Sequence, residues 1–480
     1  MSDRIPTGRL RRAAKTTGAL APGTLKLAST IAANAGRDPD RAAELLARRH
    51  EELADEVVDV LSSLRGGAMK IGQMASFIDV DFIPPEHRDT YQDKLAALRD
   101  SAPPMSWRQV RAVLEHEWGE PPESVLDELE HDAAAAASIG QVHRGRLRDG
   151  RSVAVKIQYP EIADALEADL GTAAIIARLG KAIAPGVDPN VIMAEIRERI
   201  LEELDYELEA QNQRTFARAY RGHPFVHVPD VVTSLSARRV LVSEWVDGRP
   251  FAELLSLPDD ERGRVGEIIF RFFYGSLHWL GRFNVDAHPG NYVLLGDGRM
   301  AFVDFGSVKE MEAERLRAGL RLMMAARDLT DEAVVDVLRE LGYVRDGAAP
   351  NAALMAAQVR VPNEWALTDR EFTLDRAYVG QLLAATSQIN AETLRLARTV
   401  ALPADDLMLN RMGIGVVAVL GQLGATRNWY RILREHWFGD PPATELGATE
   451  QAFFEGRGVK RLLLAARREA DAPRTQMRGT

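Results

Sequence analysis

A lysine at the end of an apolar strand, with two aspartates at set positions far downstream, is what most restricts this chain. Val153-Ala154-Val155-Lys156 lies in an alternating run, Ser152 to Gln158, joined by Arg148-Asp149-Gly150 to an earlier run, Val142 to Leu147. Asp-Gly between alternating runs is a hairpin signal. Asp286-Ala287-His288-Pro289-Gly290-Asn291 puts an aspartate five residues before an asparagine. Asp304-Phe305-Gly306 follows an apolar strand thirteen residues past Asn291. Between the two, Tyr292–Leu295 and Met300–Val303 flank Gly296-Asp297-Gly298, a second strand–turn–strand. Any one fragment is weak, since a strand lysine is usually a solvated edge residue. All three in this order, with a hairpin between the last two, leave little room for coincidence.

That order is the order of parts in a protein kinase. It predicts an α+β, protein-kinase-like bilobal fold with a β-rich N-lobe and a helical C-lobe. Kinase chemistry gives each residue a task. Lys156 neutralises the α- and β-phosphates of ATP, Asp286 faces the attacking nucleophile, and Asn291 with Asp304 offers oxygens to Mg²⁺. The lysine needs a carboxylate on a helix. Ile192, Ile196, Ile200, Leu204 and Leu208 mark an apolar helix stripe, and Glu209 beside it is the expected partner. Where a kinase has a glycine-rich loop, this chain has Ala133 to Ala137, then Ser138-Ile139-Gly140. Ala136, Ala137, Ser138 and Gly140 are the residues expected over the phosphates, on a stiffer loop because alanine restricts φ. Glu244 and Val246, around Trp245 at the presumed hinge, would meet adenine mainly through backbone groups.

The 480 residues divide into four expected segments: 1–104, a basic tail and helical extension; 105–247, the N-lobe; 248–440, the helical C-lobe; and 441–480, a peripheral end. Lys and Arg number 60 against 70 Asp and Glu, a net charge of −10, which argues against non-specific nucleic-acid binding. No cysteine is present, so disulfides, thiol catalysis and cysteine-based metal sites are excluded. The longest apolar run, Met412 to Gly421, is ten residues, half the ~20 that a spanning helix needs. No signal-peptide pattern is expected at the N-terminus. Arg4, Arg9, Arg11, Arg12, Lys15 and Lys26 face only Asp3 in charge. They read first as a solvated tail, with an anionic membrane surface as the alternative partner.

Three further motifs narrow the likeness. Lys70-Ile71-Gly72-Gln73 falls in a helical stretch, Ala135-Ala136-Ala137-Ser138 precedes the first hairpin, and Glu203-Leu204-Asp205 lies between lysine and hinge. With the kinase elements, they resemble the UbiB/AarF family of atypical kinase-like proteins, the aarF-domain-containing kinases, from about Ser63 to Trp429. The resemblance implies that Lys70 and Gln73 belong to a K-x-G-Q motif on an N-terminal helical extension over the active site. It also implies that Lys70 meets the E-x-D carboxylates, Glu203 and Asp205, where a protein substrate would otherwise dock. Residues two apart on a continuous helix point about 200° apart, so both can face Lys70 only if the helix breaks there. The family usually has histidine where Asn284 stands, a scaffold position. His288 reads as a loop cap rather than a base. No A-P-E motif follows Asp304-Phe305-Gly306, and charged helix begins within about ten residues, so the usual peptide-docking platform is not expected.

The expected function is an ATP-binding, Mg²⁺-dependent atypical kinase or ATPase. By resemblance, it acts on or in support of small lipophilic molecules in isoprenoid-quinone or lipid metabolism. Its expected location is cytoplasmic, with peripheral attachment at the inner face of the membrane as the alternative. The alternative is a nucleotide-switched binding protein that does little chemistry. Asp286 favours catalysis over that alternative, because a pure binder has no need of it. A true protein kinase ranks third. The sequence leaves phosphate acceptor, nucleotide preference and oligomeric state open.

Overall fold

The computed structural model describes residues 105–137, 139–160, 162–163, 197, 201–386, 396, 399–401 and 403–463. The expected extension with Lys70 and Gln73, the basic stretch 4–26, Ser138, and Ile192, Ile196 and Ile200 lie outside them. The described residues form two compact units. Unit one comprises 105–210, 231–245 and 383–386. Unit two comprises 211–230, 246–382 and what is described from 396 to 463.

Unit one is a sheet with a helix on one face. Its helix, α1 (Trp107–Trp118), starts with a capping box between Ser106 and Gln109 and ends at Gly119, whose φ is +73°. Its strands are β1 (Glu128–Leu129), β2 (Ala135–Ala137), β3 (Gly140–Arg146), β4 (Ser152–Gln158) and β5 (Val240–Glu244). All pair antiparallel, in the order β1-β3-β4-β5, with β2 also on β3. Alternation along β4 buries Val153, Val155 and Ile157 against Val110, Val113 and Leu114 of α1. Lys156 therefore points from the opposite face. Gly140 has a packing reason to be glycine, because a Cβ there would collide with the Ile157 carbonyl oxygen on β4. The helix α2 (Tyr206–Tyr220) gives its first residues, through Ala210, to unit one and the rest to unit two.

Unit two is built on helices. In chain order it has α3 (Asp259–Phe270), a five-residue π-turn over Arg271–Gly275, and α4 (Ser276–Leu280). After α4 come four short strands: β6 (Arg282–Asn284), β7 (Tyr292–Leu294), β8 (Met300–Phe302) and β9 (Val308–Glu310). Helices α5 (Ala313–Asp328), α6 (Ala404–Leu423), α7 (Trp429–Phe438) and α8 (Glu445–Glu455) follow among shorter ones. The expected hairpin is β7 with β8, and β6 pairs with β9, a strand pair with no local signal in the sequence.

One described segment, Asp406–Leu423 within α6, is long and apolar enough to cross a membrane, and half of it is buried inside the unit. Met412, Val416, Val419 and Leu420 belong to the core of unit two, so α6 is accounted for as a core helix.

Residues 441–463 correct an expectation. Residues from 441 were expected to be peripheral, but Phe454 and Glu450 of α8 are buried in unit two, as is Arg461 beyond it. An ion cluster holds α8 there. Fully buried Arg271 donates to Glu267 (2.8 Å), Glu435 (2.9 and 3.0 Å), Glu450 (3.0 Å) and the Thr444 hydroxyl (3.1 Å). Gly447 leaves room for it: a Cβ there would lie 2.7 Å from Glu435 Oε2. A buried guanidinium needs this many acceptors, and α8 supplies one of the carboxylates.

Beside the cluster, His278 and His436 stack with ring centres 5.1 Å apart. Burial, with Arg461 adding, pushes His278 down to about 3, and burial pushes His436 well below the usual imidazole range. His223, also buried, is pushed to about 3. Such histidines stabilise the fold above their unfolded pKa, roughly 6.5, and lose that contribution as pH falls towards 3. Glu450 has the opposite sign. Burial pushes it up to about 7, so its contribution is present at low pH and lost as pH rises through that value. Three histidines against one carboxyl make the melting temperature fall from pH 6.5 to pH 4. His278→Asn, which cannot take up a proton, should flatten that fall. Equal pH slopes for the two proteins in calorimetry would contradict it.

Candidate functional site

In unit one the candidate residues begin on the face of β4 turned away from α1. Lys156 stands opposite Val142 on β3 and Leu241 on β5. Leu241 packs with Ile139, Leu204, Tyr206 and Ala210, so the chain around the start of α2 lies on this face. Lys156 Nζ donates to both carboxylate oxygens of Glu209, at 2.7 and 2.9 Å. The lysine is 14% exposed and the glutamate 3%, and the ammonium also lies 5.1 Å from the centre of the Tyr206 ring. Two strand positions on, Gln158 Nε2 donates to Leu204 O at 3.0 Å, fastening the same segment again.

The approach to Glu209 differs from the expected single helix through Leu204 and Leu208. The chain is helical over 201–203, turns at Leu204 and Asp205, and is helical again from Tyr206. Asp205 causes the restart. Its Oδ1 accepts from the backbone N–H of Glu207 (3.0 Å) and Leu208 (3.2 Å), which caps α2. Glu203 and Asp205 thus sit on either side of a break, the condition under which both can face one way.

The remaining candidates lie on β2 and at the end of β5. Ala136 and Ala137 lie on β2, opposite Gln141 and Gly140. Glu244 ends β5, Trp245 N donates to Ser152 O at 3.1 Å, and Val246 is the first residue after the division between units.

Unit two brings Asp286, Asn291 and Asp304 together around Asn284. Asn284 is buried at the end of β6; its Nδ2 donates to Asp304 O (2.7 Å) and its Oδ1 accepts from Asp286 N (2.9 Å). One amide therefore ties the loop after β6 to the segment after β8. Two backbone bonds add to it, Val285 N to Ser307 O (2.8 Å) and Val303 N to Asn291 O (3.2 Å). Asn291 Nδ2 lies 3.4 Å from Asp286 Oδ2. Asp304 Oδ1 accepts from Gly306 N at 3.0 Å, and Phe305 is fully buried against Phe216, ring centres 5.1 Å apart. His288 is a loop cap, its Nδ1 accepting from Gly290 N at 3.0 Å. Burial, with the Asp286 charge adding to it, pushes the Tyr292 hydroxyl well above its usual range.

The donor set suits Mg²⁺. Asn291 and Asp304 offer an amide and a carboxylate oxygen, and a hard cation that keeps waters and shares phosphate oxygens needs one or two protein ligands. Among the described residues there is no group of three or more His, Asp or Glu able to hold a metal by itself.

Comparison with known proteins identifies the family. Residues 97–338, half of the sequence, match the ABC1 atypical kinase-like domain. The chain belongs to the ABC1 atypical kinase-like family. Among curated members of that family, atypical kinase coq-8, mitochondrial, of Caenorhabditis elegans is 29% identical over 61% of this chain and 39% of its own length. Atypical kinase COQ8B, mitochondrial, of Rattus norvegicus is 30% identical over 61% of this chain and 55% of its own. The chloroplastic protein ACTIVITY OF BC1 COMPLEX KINASE 1 of Arabidopsis thaliana is 33% identical over 55% and 40%. The chain thus spans about half or less of the length of these relatives. A solved structure of Rv3197 from Mycobacterium tuberculosis, in complex with erythromycin, is 34% identical at a TM-score of 0.60. It covers 83% of this chain and all of its own.

Arg411 of α6, whose Nη2 lies 4.0 Å from Asp286 Oδ1, and the Arg271 cluster were not found from the sequence of this ABC1-family chain. The only local trace of the cluster is the i,i+4 pair Glu267–Arg271, a spacing that solvated helix faces also show. The amide of Asn284 holds the unit-two residues Asp286 and Asp304 together. Asn284→Ala leaves Asp286 N–H and Asp304 C=O without that partner and should lower stability by about 2 kcal/mol. Urea unfolding checks this, and a loss below about 0.5 kcal/mol would mean the amide does not hold the loop.

Proposed function

We propose that this chain binds Mg·ATP and moves its γ-phosphoryl group, as an atypical kinase or ATPase acting on or in support of small lipophilic molecules. The observation that carries the reading is the Lys156–Glu209 pair, 2.7 Å apart on the face of β4 turned away from α1. A carboxylate of this kind holds a lysine extended, ready to neutralise the α- and β-phosphates. Ala136, Ala137, Ser138 and Gly140 then cover the phosphates, and backbone at Glu244 and Val246 takes the adenine. In unit two, Asp286 accepts the proton of the attacking hydroxyl or water, while Asn291 and Asp304 offer oxygens to the metal. Bound Mg²⁺ would neutralise charge on the phosphate oxygens. Lys70, Gln73, Glu203 and Asp205 belong to the same proposal, as the family motif that limits which acceptor can enter.

Two observations support a small acceptor over a peptide. Helix α5 begins at Ala313, seven residues after Gly306, which leaves little chain for a peptide-docking platform. The Rv3197 structure is a complex with erythromycin, which is not a peptide. Attachment to an anionic membrane through the basic residues of 4–26 is part of the proposal. It predicts vesicle binding that falls steeply with added salt. Equal binding to neutral and anionic vesicles would rule that attachment out.

Nucleotide binding is tested by thermal shift, because a ligand held only by the folded state raises its stability. Mg·ATP should raise the melting temperature, and Asp304→Asn should remove the part that needs Mg²⁺. Lys156→Ala should weaken ATP binding with or without the metal. An unchanged Mg·ATP shift in Asp304→Asn would contradict the metal assignment. Wild-type ATP affinity in Lys156→Ala would take Lys156 out of the phosphate site.

A further inference from the structure

The loop that carries Asp286 holds no lysine or arginine from Asn284 to Asn291. Its histidine, His288, caps the turn through Nδ1. A phosphoryl group in transfer spreads negative charge over three oxygens and needs a cation beside the nucleophile as well as at the leaving group. Helix α6 brings one. Arg411 Nη2 lies 4.0 Å from Asp286 Oδ1, with the arginine side chain 17% exposed and the aspartate 25%. That separation is an ion pair rather than a hydrogen bond. The other carboxylate oxygen faces Asn291 Nδ2 at 3.4 Å, so the two oxygens of Asp286 have different neighbours.

The rest of α6 is shaped to hold Arg411 in that place. Four residues on, Gly415 approaches the loop so closely that a Cβ there would lie 3.1 Å from Ala287 Cβ. A Cβ on Gly413 would lie 3.3 Å from the Tyr274 hydroxyl of the π-turn. Five residues before Arg411, Asp406 accepts from Arg315 of α5 through Nε at 2.7 Å and also through Nη2. The helix is thus fixed on both sides of Arg411, and its glycines allow the approach that brings a guanidinium to the catalytic carboxylate.

We propose that Arg411 binds the γ-phosphoryl group next to Asp286, exchanging its ion pair with the carboxylate for the non-bridging phosphate oxygens. The inference rests on the Mg·ATP reading above and gives that site a cation outside the kinase motifs. In the transfer, the acceptor oxygen forms a new bond to the γ-phosphorus. The bond from that phosphorus to the β–γ bridging oxygen breaks, and its electron pair leaves on ADP. The acceptor's proton passes to Asp286. Arg411 gives up no proton and acts by charge and by its planar fork of donors, which matches two phosphate oxygens at once.

Equilibrium binding of ATP and of ADP to the full chain, both with Mg²⁺, tests this beside ATP turnover. Two neutral replacements, Arg411→Gln and Arg411→Met, guard against one of them failing to fold. Each should bind ATP about tenfold more weakly while binding ADP as the unaltered protein does. Turnover should fall by about 10²- to 10³-fold, mostly in kcat, and Arg411→Lys should recover part of it. A merely structural arginine would weaken both nucleotides alike and lower the melting temperature, and that result overturns the proposal. An unchanged ratio of ATP to ADP affinity in the folded variants overturns it too, while leaving the Mg·ATP reading standing. Binding of neither nucleotide by the unaltered chain overturns that reading and this inference together.

Discussion

The ammonium of Lys156 is withdrawn from water on a strand whose alternate residues line the core, and Glu209 is the group that makes its burial tolerable. A charge buried without a partner costs several kcal/mol, so the fold of unit one has to deliver that carboxylate. Much of the unit follows from this. The β3–β4 hairpin and β5 set the strand that aims Lys156 away from α1. Gln158 holds the chain at Leu204, Asp205 restarts the helix, and one turn later Glu209 arrives at the ammonium. Local capping and a long-range ion pair therefore specify the same geometry, and agreement of that kind marks a sequence that selects one structure.

In unit two a guanidinium plays the corresponding part. Arg271, at the start of the π-turn, gathers Glu267, Glu435 and Glu450 from α3, α7 and α8. The five-residue π-turn leads through α4 and β6 to the loop of Asp286, and π-turns are frequent near functional sites. Asn284 then joins that loop to Asp304, so the residues given chemical roles hang on backbone held by amides and buried charge. Such rigidity suits phosphoryl transfer, where positioning and preset charge do most of the work.

The parts legible in the sequence are those with short-range signatures. The strand of Lys156, the five-residue step from Asp286 to Asn291, the β7–β8 hairpin and Asp304-Phe305-Gly306 each fit within a few residues. Glu209 was found by periodicity although the helix restarts at Asp205, because its side of the stripe survives the break. Gly140 was read as a phosphate-loop glycine, and the structure adds a second reason for it in the closeness of Ile157. What stayed hidden depends on distant pairing. Arg271 meets Glu435 and Glu450 across 164 and 179 residues, and nothing local separates a buried arginine from a solvated one. For the same reason the stretch holding α8 read as peripheral, while α8 is fastened into the core. Arg411 sits on an apolar helix whose contact with Asp286 only the fold creates.

The central claim is that the Lys156–Glu209 pair marks the phosphate end of a nucleotide site. An acyl-phosphate derivative of ATP tests this directly, because it transfers its acyl group to whichever lysine lies beside the bound phosphates. Mass spectrometry of the labelled chain should find the acyl group on Lys156, and Mg·ATP should suppress that labelling. Labelling that Mg·ATP suppresses at another lysine, with Lys156 untouched, would contradict the account.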